Sequence, residues 1–95
     1  MIGQLIRLKV LEGKEAELEE LVSQLMRDVK ANEPDSIYDV RRVKGEPRTY
    51  LYFISFTDQA AFDRYMKADY HTQMSPKAVA LLDGEPLFDD LEIFD

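Results

Sequence analysis

The sequence predicts a ferredoxin-like α+β fold, in which a four-stranded antiparallel sheet carries its helices on one face. Three observations support this prediction: the element order β-α-β-β-α-(α)-β, a long amphipathic helix, and a third strand that is apolar on both faces. A chain of 95 residues is long enough for one compact domain and too short for two. We therefore interpret residues 1–95 as a single ferredoxin-like domain.

The first strand and the first helix have the clearest patterns. In MIGQLIRLKV, residues 1–10, the apolar residues share one face with Gln4, whereas Arg7 and Lys9 take the other. From Lys14 to about Glu33 the apolar residues recur at helical spacing. Acidic residues crowd the first turns of this segment, where the helix dipole favours negative charge. The proline that follows cannot continue the helix, so the helix is predicted to end there.

The middle of the chain predicts a hairpin followed by two helical elements. SIYDVRRVK and TYLYFISF have the composition of strands and are joined by GEPR. Asp58, or Thr57 before it, can cap a second helix that runs to about Lys67. HTQMSPKAVALLDG predicts a shorter helix, with Pro76 compatible only with a position near the helix start and Gly84 as its stop.

The last segment, PLFDDLEIFD, predicts a fourth strand with Leu87, Leu91 and Ile93 on one face. Acidic residues are concentrated at this end of the chain, because six of them lie in the last thirteen positions and no Lys or Arg does. We interpret this charge as that of a solvated strand edge, which resists edge-to-edge aggregation.

The third strand also predicts a homodimer. Leu51 and Phe53 point to one face of this strand, although an antiparallel sheet with one wet face should alternate apolar with polar residues. The opposite face is apolar as well and carries Tyr50, Tyr52, Ile54 and Phe56. Two helices cover only one face, so a second copy of the chain is the most economical cover for the other. A monomer with a few exposed aromatic side chains is the alternative.

Composition narrows the classes of partner. The chain has no cysteine, which excludes disulfides, thiolate nucleophiles and zinc–thiolate sites. Its net charge of −7 repels phosphate backbones and anionic lipid, so we expect neither a nucleic-acid nor a membrane partner. No apolar segment has the length of a membrane span or the form of a signal peptide, and a cytoplasmic location is expected.

Several stretches, taken in order along the chain, resemble the antibiotic biosynthesis monooxygenase (ABM) domain. They are the aromatic strand LYFISF, the helix start TDQAAF, the histidine-bearing turn DYH and the Leu-rich segment ALLDGEP; the resemblance is strongest from Arg48 to Pro86. It implies a dimeric α+β barrel with a small aromatic-lined pocket between each sheet and its helices. Family members include oxygenases that act on polyketide-type aromatics or quinols without metal or flavin. Other relatives degrade haem or isomerise small metabolites.

The sequence departs from this family pattern at positions that matter for chemistry. The strand glutamate that family members often carry falls at Ile54 or Phe53, so a pocket acid is missing. The histidine often found in the second helix corresponds to Tyr65. The histidine of the following turn is shifted by one position, to His71. Proton transfer in the pocket would therefore depend on a displaced imidazole.

No cofactor is expected. Relative to the haem-degrading branch of the resemblance, the strand-ending tryptophan is replaced by Phe56, and the iron-ligating histidine falls near Ser75. The sequence has no glycine-rich phosphate loop, no metal-ligand spacing and no nucleophile paired with a base. Haem degradation and metal- or flavin-dependent chemistry are thus disfavoured.

The only histidine of the chain is the candidate catalytic residue, because its pKa is the one nearest neutrality. A turn histidine without a task is the alternative for His71. Tyrosines on adjacent strands combine an apolar wall with a hydroxyl, and a glutamine interrupts an otherwise apolar inward face. The predicted substrate-binding residues are Tyr38, Tyr52, Phe56, Tyr65 and Gln4. Arg41 and Arg42 fall on opposite faces of their strand, so at most one of them looks inward.

These observations favour a cofactor-independent ABM-type monooxygenase that oxidises a small aromatic, polyketide-like or quinol substrate. One alternative is an isomerase or lyase of a small metabolite on the same scaffold, which also needs a proton shuttle but no oxygen. Another is a non-catalytic, stress-associated dimer that binds a small ligand. The partners predicted in every case are a small molecule, aromatic or quinone-like for the oxygenase, and a second copy of the chain.

Overall fold

The structure is a computed structural model that describes residues 2–94. Its elements are β1 (Ile2–Lys9), α1 (Glu15–Asn32), β2 (Ile37–Arg42), β3 (Thr49–Phe56), α2 (Gln59–Lys67), α3 (Asp69–Val79) and β4 (Leu87–Leu91). The strands form one antiparallel sheet in the order β2-β3-β1-β4. The predicted ferredoxin-like α+β fold is confirmed. Within the described part of the chain, none of the helices combines the length and apolarity that crossing a membrane requires.

The strand register separates the two faces of the sheet. Tyr52 of β3 lies opposite Ile6 of β1 and Val40 of β2, and all three side chains are on the face that the helices cover. The largest of the fully buried side chains in the core are Phe56, Leu18, Ile54, Val10 and Val29. The apolar stripe predicted for the first helix is the buried face of α1.

The other face of the sheet has no helix over it. Phe53 is 43% exposed there and lies opposite Leu5, with Leu51 two residues before it on β3. Leu87 and Leu91 of β4 are on the same side, since they pair with alternate residues of β1. The third strand is therefore apolar on both faces, as its sequence predicts. We call this surface the outer face; its apolar members are Leu5, Ile37, Leu51, Phe53, Leu87 and Leu91.

Local chemistry explains the helix limits. The Asp58 carboxylate accepts a hydrogen bond of 2.9 Å from the backbone N–H of Ala61, so Asp58 is the cap of α2 as predicted. The first helix ends at Asn32, one residue before the Glu33–Pro34 pair that disfavours helical geometry.

Three expectations for the C-terminal part were wrong. The third helix ends at Val79 and not at Gly84, and the other two concern Pro76 and Ile93. Pro76 lies in the last turns of α3 and not near its start, because the helix begins at Asp69, two residues before His71. Without an N–H, Pro76 leaves the Thr72 carbonyl without its helical donor, while its own carbonyl accepts from the N–H of Ala80. The fourth strand ends at Leu91, so Ile93 lies beyond it; Asp95 is outside the described residues.

Candidate functional site

A cavity of about 250 Å³ lies between the helix-covered face of the sheet and the three helices. This is the position that the family resemblance implies for a pocket. Most of its wall is aliphatic or methionine side chain, with Phe88 and Pro86 on the β4 side. The polar side chains of the wall come from every layer of the fold and are Gln4, Tyr38, Tyr52, Tyr65, His71 and Ser75.

His71 lies in the first turn of α3, where its ring is part of the cavity wall. Its Nδ1 is 3.3 Å from the backbone carbonyl oxygen of Met66. A carbonyl only accepts hydrogen bonds, so Nδ1 carries the hydrogen and the neutral ring keeps its lone pair on Nε2. Partial burial lowers the pKa of His71, and the bond to Met66 opposes this only in part. The imidazole is therefore a neutral base at pH 7.

The ring of Tyr65 connects this imidazole to a second tyrosine. The ring centroids of Tyr65 and His71 are 4.4 Å apart, and the hydroxyl oxygens of Tyr65 and Tyr38 are 3.0 Å apart, so one hydroxyl donates to the other. Burial raises the pKa of Tyr65 to about 12, and burial next to Tyr65 raises the pKa of Tyr38 well above its ordinary value. Both tyrosines are protonated at neutral pH and form one polar pair in the wall.

Gln4 and Tyr52 also reach the cavity but differ in their bonding. The side-chain amide of Gln4 donates a 3.0 Å hydrogen bond to the Asp90 carboxylate on β4. The Tyr52 hydroxyl makes no hydrogen bond within residues 2–94, and burial raises the pKa of this phenol. Tyr52 is thus a protonated donor with no intramolecular acceptor among the described residues.

Phe56 lies behind the wall. It is fully buried, and its ring centroid is 5.1 Å from that of Tyr65, on which it packs. It is not one of the residues that line the cavity. Its contacts make it a support for Tyr65, although the sequence placed it among the substrate-binding side chains.

The two arginines of β2 lie on opposite faces, as the alternation predicts, and neither lines the cavity. Arg42 is on the helix side, where it binds both carboxylate oxygens of Glu19 at 3.0 and 2.9 Å. Tyr50 donates a 2.6 Å hydrogen bond to the same carboxylate. This bond and the Arg42 guanidinium lower the pKa of Glu19, despite an opposing effect of burial. The network fixes α1 against β2 and β3, at a distance from the imidazole.

Sequence reasoning missed part of the wall on α3. Met74, Ser75 and Ala78 line the cavity, although the sequence indicated none of them as a substrate-binding residue. These residues follow His71 at offsets of 3, 4 and 7. That spacing puts them on the same helical face as the histidine. The periodicity starting from His71 would have identified them.

A family model described as antibiotic biosynthesis monooxygenase matches residues 1–77. The chain belongs to this family. The matched part contains every polar side chain of the cavity wall, from Gln4 to Ser75. Membership is thus established by a segment that includes β1, α1, β2, β3, α2 and most of α3.

Solved structures show the same ABM architecture. A proposed antibiotic biosynthesis monooxygenase from Caulobacter crescentus is 28% identical and superimposes with a TM-score of 0.91, over 99% of this chain and 90% of that one. One from Deinococcus radiodurans is 15% identical, with a TM-score of 0.86 over 100% and 94% of the two chains. A conserved protein from Methanosarcina mazei is 20% identical, with a TM-score of 0.85 over 95% and 89%. The latter two support the fold alone. Comparison with curated protein sequences gave no significant match.

Proposed function

We propose that this ABM-family protein is a cofactor-independent monooxygenase that oxidises a small aromatic, polyketide-like or quinol substrate. The observation that carries the proposal is the neutral imidazole of His71 in the wall of an uncharged, mostly apolar cavity. A base whose pKa lies below neutrality is unprotonated at the operating pH and is able to accept a proton from a phenol or an activated methylene group.

The chemistry balances without an external reductant. Nε2 of His71 takes a proton from the substrate, which leaves an electron-rich carbanion or phenolate. The anion transfers one electron to dioxygen, and recombination of the two radicals forms a C–O bond, giving a hydroperoxide once it is protonated. Loss of water from the hydroperoxide converts a CH₂ group into C=O. One oxygen atom remains in the product, the other leaves as water, and the imidazole returns its proton.

The cavity supports this chemistry in two ways. Its walls of tyrosine, methionine and aliphatic side chains suit a flat aromatic ring, and its volume of about 250 Å³ lies near the small end of ligand pockets. The Tyr65 ring packed on His71 limits the hydration of the imidazole. Such an environment favours the neutral form of the imidazole before proton transfer. It also keeps reactive intermediates away from bulk water.

Oxygen uptake tests the proposal. The protein is incubated with a panel of dihydroxynaphthalenes and anthrones, and dioxygen consumption is compared with the formation of quinone. His71→Gln removes the base and is expected to lower kcat about 100-fold or more, the usual contribution of a positioned base. Lys30→Ala, at an exposed position of α1 away from both the cavity and the outer face, serves as the control and should keep the full rate.

Two outcomes would contradict the oxygenase proposal: no oxygen uptake with any member of the panel, or an unchanged rate in His71→Gln. Turnover of a small metabolite under nitrogen would instead support an isomerase or lyase that uses the same imidazole. Ligand binding without turnover would support a non-catalytic binding protein.

We further propose that the protein acts as a homodimer through the outer face. A row formed by Asp39, Phe53, Leu5 and Asp89 lies next to a row formed by Arg41, Leu51, Arg7 and Leu87. The first row has an aspartate at each end, and the second has Arg41 at one end and Arg7 within it. A two-fold axis is therefore able to set acidic side chains of one copy against basic side chains of the other across one apolar patch. Exposed apolar patches of this kind are uncommon on monomers.

Sedimentation tests the dimer. The protein at micromolar concentration should sediment at twice its mass of 11.0 kDa. Phe53→Glu places a charge in the middle of the outer face and should give a folded monomer. Ala16→Glu, at an exposed position of α1, adds the same single negative charge and should leave the dimer intact. An 11 kDa species for the unaltered protein would remove this proposal.

A further inference from the structure

In the described part of its wall, the cavity has no positive charge that would bind an anion. Among the residues that the structure describes, no Lys, Arg, Asp or Glu side chain lines the cavity. A negative charge adjoins the wall, because the Gln4 side-chain amide donates its hydrogen bond to the Asp90 carboxylate. The net charge of the chain is −7. An anionic ligand would lose its hydration here without gaining a cation, and such a loss is costly.

The hydrogen-bonding groups of the wall are mostly occupied. The hydroxyls of Tyr38 and Tyr65 bind one another, and Nδ1 of His71 binds the Met66 carbonyl. Tyr52 and Ser75 differ, since neither hydroxyl has a hydrogen-bond partner within residues 2–94; Tyr52 lies on the sheet and Ser75 on α3. Within the described part of the chain, every fully buried side-chain nitrogen or oxygen has a hydrogen-bond partner. The Tyr52 hydroxyl has none, so it is not fully buried. The cavity that Tyr52 lines is the space available to it.

From these two observations we propose that the cavity selects hydroxyarenes in their uncharged form, and that the Tyr52 hydroxyl is the specificity group that donates a hydrogen bond to the ligand oxygen. At the packing density of protein interiors, a cavity of about 250 Å³ accepts two or three fused rings. Carboxylated analogues of the same size are excluded by charge and not by shape. The inference rests on the proposed function for the kind of ligand but not for any reaction.

Anaerobic binding tests the proposal separately from oxygenation. Equilibrium dialysis at pH 7 under nitrogen measures the dissociation constants of three fluorescent probes: naphthalene, 1-naphthol and 1-hydroxy-2-naphthoate. We expect 1-naphthol to bind at least about 10-fold more tightly than the carboxylate, because the carboxylate finds no cation. Val79→Lys adds a cation to the cavity wall at an exposed position and should restore binding of the carboxylate.

Tyr52→Phe removes only the hydroxyl. It should weaken binding of 1-naphthol on the order of 5- to 10-fold, the worth of one hydrogen bond, and leave naphthalene within about twofold. Tyr50→Phe is the matched control, since Tyr50 is on the same strand and face but donates to Glu19 outside the cavity. It should leave the affinities for all three probes unchanged.

The proposal is overturned if the unaltered protein does not bind 1-naphthol, if it binds the carboxylate as tightly, or if Tyr52→Phe weakens 1-naphthol and naphthalene equally. The comparison of neutral with anionic probes needs no variant and decides the charge selectivity even if Tyr52→Phe folds poorly. Retained selectivity together with an absence of oxygen uptake would remove the oxygenase proposal and leave this inference standing.

Discussion

The ring centroids of Tyr65 and His71 lie 4.4 Å apart, with the two planes inclined by 50°. This contact shields one side of the only imidazole in the chain. Burial of this kind disfavours the charged ring, which is why the pKa of His71 is lowered although a backbone carbonyl partly stabilises the protonated form.

The first prediction is that His71 titrates below about 6.5, the value of an unperturbed histidine. Since His71 is the only histidine, NMR of its Cε1 proton in untagged protein gives the midpoint directly. As the pH falls, the unfolded chain binds a proton first. The stabilising effect of the neutral ring is thus complete above about pH 6.5 and is lost as the pH falls through the folded pKa. Tyr65→Ala should move the midpoint back towards 6.5, and a midpoint at or above that value in the unaltered protein would contradict the prediction.

The second prediction concerns the hydroxyl pair of Tyr38 and Tyr65, which are 3.0 Å apart. Tyr65→Phe leaves the Tyr38 hydroxyl without its partner and should cost about 1–3 kcal/mol of unfolding free energy. The double variant to Phe removes both hydroxyls and should cost less than the sum of the two single changes. Urea denaturation of the four proteins measures the coupling. Additive costs would show that the two hydroxyls do not stabilise one another.

The third prediction is that the ion pair between Glu33 and Arg64 matters more than the surface pairs. The Glu33 side chain is only 11% exposed and receives Arg64 Nη2 at 2.6 Å, whereas both partners of the Arg7–Glu46 pair are about half exposed. Arg64→Ala leaves a poorly hydrated carboxylate, so it should lower the melting temperature clearly more than Arg7→Ala does. Arg64→Lys should recover part of the loss, and equal effects of the two alanine variants would argue against a special role for Glu33.

The fourth prediction addresses the start of α2. Asp58→Ala removes the carboxylate that caps the N–H of Ala61 and should cost about 1 kcal/mol of unfolding free energy. Asp58→Asn keeps a capping oxygen and should remain close to the unaltered protein. Chemical denaturation compares the two variants; similar losses would show that charge and not capping stabilises this end of the helix.

The sequence was sufficient to predict the features that depend on periodicity. The alternation around Phe53 predicted an apolar outer face, and the spacing from Leu18 onward predicted the buried side of α1, because both patterns follow from backbone geometry. The bond between Tyr38 and Tyr65 was not predictable, since it joins residues 27 positions apart and depends on how closely α2 lies over β2. The role of Phe56 was missed for the same reason. Alternation along β3 predicts the face on which Phe56 lies, but not that its ring packs on Tyr65.

The fourth strand has a further consequence for regulation. Phe88 points towards the cavity, while its neighbour Leu87 is on the outer face. All five residues of β4 are exposed, and β1 is the only strand with which β4 pairs within residues 2–94. In the proposed dimer, a second subunit that covers Leu87 would therefore restrain the same short strand that borders the ligand. Association and ligand binding then become linked equilibria, in which each strengthens the other by the same factor. The affinity for a ligand should consequently rise with protein concentration, without any contact between the ligand and the partner.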